Sequence, residues 1–312
     1  MFSYSSVLVS GGAGFIGSHL VDALVKRGMR VAVLDDLSSG RLENISGHLK
    51  GGGVRFVEGD VRRREDVYEA VEGAEAVFHL AAVTSVPFSV LHPDVTFGVN
   101  VEGTRNVLDA CVEKGVERFI FVSSCAVYGE PLDLPVGEVH PLCPVSPYAE
   151  SKLKAEQLCR VYGERFGLKT TVFRPFNVYG PRQRCDGYAG VIASFVERLR
   201  SGLPPVIYGD GCQTRDFVYV GDLVEAFVSA LGCEAAVGEV FNVGSGVPVS
   251  VNELADLLAG LFGFNGVEPV YADEREGDIK HIYADIKAAR QHLGFEPRVS
   301  LKDGLKEIVN GG

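Results

Sequence analysis

No apolar run in the 312 residues reaches membrane-spanning length, which excludes a helical membrane protein. Met1 to Ser6 carries no basic stretch followed by an apolar one, so no secretory leader is expected and the expected location is cytoplasmic. Positive charge is short: 30 Lys and Arg stand against 41 Asp and Glu, a net −11. A general nucleic-acid or anionic-membrane binder needs the opposite balance, so an anionic ligand has to be met locally by individual arginines. The seven cysteines contain no Cys-x-x-Cys pair, and neither they nor the seven histidines show metal-ligand spacing, so no metal is expected. Most of these thiols read as small buried groups, with a Cys185–Cys212 disulfide left open. Asn and Gln are scarce, twelve together, and Arg outnumbers Lys, a thermophile's lean that makes an intracellular disulfide less unusual. What is present, 46% hydrophobic and 23% charged, suits a soluble globular chain with one large domain or two intimate ones.

Strand and helix signals alternate from the start. Val7-Leu8-Val9 is a short buried-type strand running into Gly11-Gly12-Ala13-Gly14-Phe15-Ile16-Gly17. An amphipathic helix follows through Leu20, Leu24 and Val25, stopped at Gly28, and Arg30 to Leu34 forms a second apolar strand ending in Asp35 and Asp36. A βαβ unit with such a turn is a dinucleotide cradle. Gly11 permits the tight turn, Gly14 lets the backbone approach a pyrophosphate, and Gly17 lets helix and strand pack closely. The phosphates then sit on the helix N-terminus, beside Phe15 and Ile16. Asp35, eighteen residues after Gly17, is placed to accept from both ribose hydroxyls of an adenosine. A carboxylate there repels a 2′-phosphate, so NAD is expected over NADP.

More units follow. A strand from Val54 to Val57 leads into Gly59-Asp60-Val61, with Asp60 a candidate acceptor for the adenine amino group. Ala76 to Leu80 leads into Ala81-Ala82, small residues that let a dinucleotide pass close, and a long helix at about Val95 to Lys114 carries Asn100. Phe119 to Val122 delivers Ser123-Ser124-Cys125-Ala126 at a strand's C-terminal end, where open parallel sheets bind ligands. Thr170 to Phe173 gives a further strand before Arg174-Pro175-Phe176-Asn177, after which turns and shorter elements take over. The expected fold is α/β: a doubly wound parallel sheet with a smaller C-terminal α/β lobe. The dinucleotide domain extends to about residue 176 and is re-entered within about 213–243; the second lobe is mainly 177–212 and 244–312.

Ser146-Pro147-Tyr148 reads as a helix start, Ser146 as N-cap and Pro147 in the first turn. Tyr148 and Lys152, four apart, share one face, which brings an ammonium near a phenol. A phenol titrates near 10, so a phenolate at neutral pH needs roughly 4 kcal/mol of preferential stabilisation, within reach of one or two nearby positive charges. Tyr-x-x-x-Lys pairs also arise by chance on helices, and the weight of this one rests on its company.

That company resembles a family. Gly11-x-x-Gly14-x-x-Gly17, Asp35, Ser124, Tyr148-x-x-x-Lys152 and Arg174-Pro175-Phe176-Asn177 occur in order, followed by Gly209-Asp210-Gly211-x-Gln213-Thr214-Arg215 and Arg275-x-Gly277-Asp278. The chain resembles the extended short-chain dehydrogenase/reductases that modify nucleotide sugars, and is most similar to their UDP-galactose 4-epimerases. The resemblance implies NAD as a tightly held cofactor, a UDP-sugar substrate and a homodimer. It also implies Tyr148, Lys152 and Ser124 as the catalytic set, with Asn100 and Phe176 on the nicotinamide side and Ser123, Leu80, Ala81, Ala82, Asp60 and Val61 among the other cofactor contacts. Arg215 and Arg275 are then the pyrophosphate's arginines, Tyr208 packs on uracil, Asp278 holds its ribose, and Asn177, Gln213 and Val191 join the substrate site. His79 and His281 are read as structural.

Within the family, 4,6-dehydratases typically place an Asp-Glu pair after the catalytic hydroxyl, and UDP-glucuronate decarboxylases a Glu. Cys125-Ala126 stands there instead, which favours simple oxidation and re-reduction at C4. Ile282 falls where the family varies a residue closing the sugar pocket, often a bulky Tyr, so N-acetylhexosamines are an alternative, as are hexuronates or decarboxylation. A non-catalytic NAD-sensing regulator on the same fold is the remaining rival, though such proteins generally lack the Tyr/Lys pair.

Overall fold

Val7, Leu8 and Val9 are all fully buried, which a strand tolerates only when both faces of its sheet are covered. Their side chains alternate between two apolar layers, Val7 and Val9 on one side and Leu8 on the other. The same alternation recurs in Ile120 and Val122 against Phe119 and Phe121. In the computed structural model, which describes residues 4–184, 190–264, 267–274 and 278–311, these strands form one parallel sheet. Its members are β1 (Ser6–Ser10), β2 (Arg30–Asp35), β3 (Val54–Glu58), β4 (Ala76–His79), β5 (Arg118–Val122), β6 (Lys169–Pro175) and β10 (Val240–Val243), ordered β3-β2-β1-β4-β5-β6-β10. The order reverses at β1, whose neighbours are β2 and β4, so a crevice opens beyond the strand ends there. The α/β doubly wound architecture expected from the sequence is the one present.

Helices Phe15–Lys26 and Val220–Leu231 cover one face; Arg64–Val71, Thr104–Lys114 and Pro147–Phe166 cover the other. Shorter strands β7 (Asn177–Tyr179), β8 (Val206–Tyr208), β9 (Thr214–Tyr219), β11 (Pro248–Ser250) and β12 (Val270–Ala272) form two small sheets, β7-β9-β11 and β8-β12. They are held by a separate core of Phe195, Leu199, Ile207, Phe217, Leu254 and Leu305.

Two local features bear on the site. Helix Pro147–Phe166 starts as its sequence demands: the Ser146 hydroxyl accepts from the Ala149 N–H at 3.2 Å, and Pro147 occupies the first turn. The helix expected over about 95–114 is instead three segments, Pro93–Phe97, a π-helical turn Gly98–Gly103, and Thr104–Lys114. A π turn is a wide, strained insertion that occurs mostly at functional sites, and Asn100 sits inside this one. Such a turn shifts the phase of the apolar pattern by about one residue, a slip too small to end the stripe in a reading for helix alone. Arg275 and Cys185 lie outside the described residues, so neither that arginine's role nor the Cys185–Cys212 pairing has a structural description.

Candidate active site

Beyond the C-terminal ends of β1, β2, β4 and β5 lies a cleft of about 1210 Å³. Gly11, Gly14, Phe15, Ile16 and Gly17 line it where β1 turns into its helix, and no side chain caps that helix, which leaves its first N–H groups for a ligand. The turn accepts only glycine at two points. A Cβ on Gly17 would stand 2.1 Å from the Gly11 carbonyl oxygen, and Gly11 has φ +71° with Ala81 N 2.8 Å from where its Cβ would be. Asp35 and Asp36 border the cleft at the end of β2. The Asp35 carboxylate accepts the N–H of Ala13 and of Leu37, each at 2.9 Å, so part of its capacity holds the glycine turn itself. Burial pushes its pKa up while those two hydrogen bonds oppose the rise. Asp60 and Val61 also line the cleft, but Asp60 grips Arg62 with both oxygens, Nε–Oδ1 3.0 Å and Nε–Oδ2 2.9 Å. Asp60, the expected adenine acceptor, is thus also the partner of Arg62.

At the other end, Ser123, Ser124, Tyr148 and Lys152 line the cleft together. Ser124 caps the short turn Cys125–Tyr128, accepting from the Ala126 N–H at 3.2 Å. Burial pushes the Tyr148 phenol up to about 12, with a hydrogen bond from Ser124 pulling the other way. The lowered value expected of a phenolate therefore needs the positive charge of bound NAD beside it as well as that of Lys152. The physical reason is that the Tyr148 side chain is buried in the cleft wall, where the polypeptide by itself supplies too little positive charge to outweigh desolvation. Lys152 is also buried and is pushed down to about 8 by desolvation, against the pull of Glu156. Its Nζ lies 4.6 Å from the centre of the Phe121 ring.

Glu156 continues the stripe of Tyr148 and Lys152, four residues further along the helix, and is buried in a network that sequence reasoning did not assign. Ser123 Oγ donates to Glu156 Oε1 at 2.5 Å, and Arg174 forks onto the carboxylate at 3.0 and 2.7 Å. Arg174 also donates to the Tyr128 hydroxyl at 2.9 Å, which donates to Asn242 Oδ1 at 2.7 Å. The spacing Tyr148, Lys152, Glu156 was visible, but that Glu156 faces β5 and β6 rather than water was not.

Other expected residues divide. Leu80, Ala81, Ala82, Phe176, Asn177, Arg215 and Asp278 line the cleft, as does the buried Ile282. Arg215 and Asp278, assigned separately to pyrophosphate and ribose, are bonded to each other at 2.5 Å. Asn100 is not in the lining: its amide is spent on Val83 and Ser151 behind the wall. Val191 opens helix Val191–Arg200 and packs on the small-lobe core. Tyr208 and Gln213 also lie off the cleft, joined by a bond from Gln213 Nε2 to the Tyr208 carbonyl at 2.8 Å.

A glycine turn feeding an uncapped helix, an acid at the end of β2 and a buried Ser/Tyr/Lys set define a dinucleotide-dependent enzyme of the short-chain dehydrogenase/reductase type. Residues 7–244 match the family described as "NAD dependent epimerase/dehydratase family", and the chain belongs to it, with NAD as its cofactor. It is 42% identical over 307 residues to a putative UDP-glucose 4-epimerase of Methanocaldococcus jannaschii, covering 97% of each chain. It is similar to a UDP-glucose 4-epimerase of Thermotoga maritima solved with UDP-glucose (41% identity, 98% and 97% covered, TM-score 0.93). It is also similar to a UDP-N-acetylglucosamine 4-epimerase of Methanobrevibacter ruminantium in complex with UDP-N-acetylmuramic acid (36%, 99% and 98%, TM-score 0.93).

Proposed function

We propose that the chain is a UDP-hexose 4-epimerase interconverting UDP-galactose and UDP-glucose. The observation that carries this reading is the wall beside Tyr148: Ser124 is followed by Cys125 and Ala126, and no carboxylic acid replaces them there. Chemistry at C5 or C6 needs a second acid or base; chemistry at C4 alone needs only the Tyr148–Ser124 pair.

When bound between the glycine turn and Tyr148, NAD supplies the reversible hydride acceptor. With the charges of Lys152 and of bound NAD beside it, Tyr148 as a phenolate would take the proton of the sugar 4-hydroxyl and later return it, and Ser124 would hydrogen-bond the same oxygen. Arg215 meets the substrate's diphosphate with a guanidinium fork. The side of the cleft lined by Val86, Pro87, Val90 and Val145 offers the sugar apolar contact without fixed hydrogen bonds, which suits a ring that must present both faces.

A second reading, UDP-N-acetylhexosamines, is favoured by Ile282, which lines the cleft with less bulk than an aromatic side chain. Hexuronates fit less well, because Cys125 and Ala126 offer a carboxylate no strong hydrogen-bond donor. The deciding experiment gives the purified protein UDP-galactose, UDP-N-acetylgalactosamine or UDP-galacturonate with no added NAD and follows each to its 4-epimer equilibrium. Interconversion of UDP-galactose is expected; inertness towards it, with turnover of another sugar, overturns the assignment. The proposed working state is a cytoplasmic homodimer paired through the helical stretch near 95–114 and the helix near 147–166.

A further inference from the structure

His79, at the end of β4, is fully buried, with its ring 6.0 Å from that of Phe119 and 5.9 Å from that of Phe121. Packing alone would be served there by an apolar residue, and a buried imidazole is costly unless both nitrogens are bonded. Both are: Nδ1 lies 2.6 Å from Ser10 Oγ and Nε2 lies 2.9 Å from Thr104 Oγ1.

The neighbours decide where the proton is. The Thr104 hydroxyl hydrogen is committed to the Asn100 carbonyl at 2.6 Å, so its oxygen accepts from the ring and Nε2 carries the hydrogen. Nδ1 then accepts from the Ser10 hydroxyl, and Ser10 Oγ in turn receives the N–H of Leu80 at 3.2 Å and of Ala81 at 3.3 Å. On the far side, the Asn100 amide accepts from Val83 N at 2.8 Å, donates to Val83 O at 3.0 Å, and gives its other hydrogen to Ser151 Oγ at 2.8 Å. The Ser151 hydroxyl ends the series on the Tyr148 carbonyl at 2.7 Å.

The segment Leu80–Val83 is therefore held at both ends, and it lines the cleft along its whole length. We propose that His79 is a positioning residue: as a neutral Nε2–H imidazole it fixes the Leu80–Val83 wall to the π turn and, through Asn100 and Ser151, to the Tyr148 helix. NAD affinity and the placement of Tyr148 depend on it jointly. A charged ring would donate on both sides and displace the Ser10 hydroxyl hydrogen from its acceptor. Burial and the nearby Lys152 charge push the His79 pKa down to about 3, so the ring stays neutral at working pH.

The test uses the full-length holoenzyme and reads NAD binding, which does not depend on the sugar assignment. Thr104→Val keeps the side-chain volume and removes the relay oxygen; Thr104→Ser restores the oxygen. At a temperature where circular dichroism shows the variants folded, Thr104→Val is expected to weaken NAD binding roughly tenfold and to lower kcat with little change in KM. Thr104→Ser is expected to recover both to within about twofold, a rescue that a purely packing role would not produce. Wild-type NAD affinity in Thr104→Val, or equal damage in Thr104→Ser, overturns the proposal. Nitrogen-15 NMR of the wild-type holoenzyme gives an independent check: His79 is expected with hydrogen on Nε2 and a bare Nδ1, and the other tautomer or an imidazolium overturns it.

Discussion

Tyr148 and Lys152 are both placed where water is not, and their pKa values move in opposite directions for one reason: burial disfavours whichever form is charged. The phenol at about 12 is protonated at neutral pH in the nucleotide-free polypeptide. Tyr148→Phe is therefore expected to leave NAD content unchanged while reducing turnover by at least roughly 10²-fold, read from a UDP-galactose assay and the nucleotide released on denaturation. For Lys152 the folded value of about 8 lies below the 10.5 of an exposed lysine. The unfolded chain thus binds more protons between those values, so this group's penalty applies in full below about pH 8 and is relieved as pH rises towards 10.5. Lys152→Met is expected to abolish turnover yet to stabilise the nucleotide-free protein at pH 7, by about 3 kcal/mol at most, a gain that falls below about 1 kcal/mol at pH 10. Chemical denaturation at pH 7 and pH 10 checks the sign; equal stabilisation at both would show that the ammonium is not the cause.

At the scale of elements, helix Pro147–Phe166 is set in two ways. Its start is local, through Ser146 and Pro147, and its rotation about its axis is fixed by the buried bonds of Glu156 to Arg174 and Ser123. The pair is nearly inaccessible, 4% and 7% exposed, so removing one partner strands a charge in a dry site. Glu156→Gln and Arg174→Met are each expected to destabilise by about 3–5 kcal/mol, and Glu156→Leu combined with Arg174→Met by less than either single change. Urea unfolding of the three variants decides it; additive losses would mean the two side chains act separately.

For the whole molecule, the net charge of −11 opposes the arrival of the proposed anionic substrate, a nucleotide sugar, while local groups such as Arg215 favour it. Added salt screens the long-range repulsion more than the contact, so the association rate for a UDP-sugar is expected to rise between low and moderate ionic strength, as stopped-flow binding would show. The proposed dimer predicts sedimentation at twice the chain mass, independent of salt if helix packing rather than charge holds it. A species of single chain mass at micromolar concentration would remove the dimer from the reading.

The sequence by itself determined the order of strands and helices, the glycine turn, the acid at the end of β2 and the shared helix face of Tyr148 and Lys152, while Ser124 joined them through the family resemblance. These are written in short-range patterns: apolar runs, capping residues, glycines where no Cβ fits, and fixed spacings along one helix face. The three-dimensional packing decided the rest. It brought Glu156 to Arg174, Arg215 to Asp278 and His79 to Thr104, pairs separated by 18, 63 and 25 residues, whose meeting no local pattern announces. It withdrew Asn100 from the cleft by way of a π turn and placed Tyr208 and Gln213 away from it. It also buried the Tyr148 phenol, which pushes its pKa up in the nucleotide-free polypeptide, so the lowering needed for a phenolate has to come from bound NAD as well as Lys152.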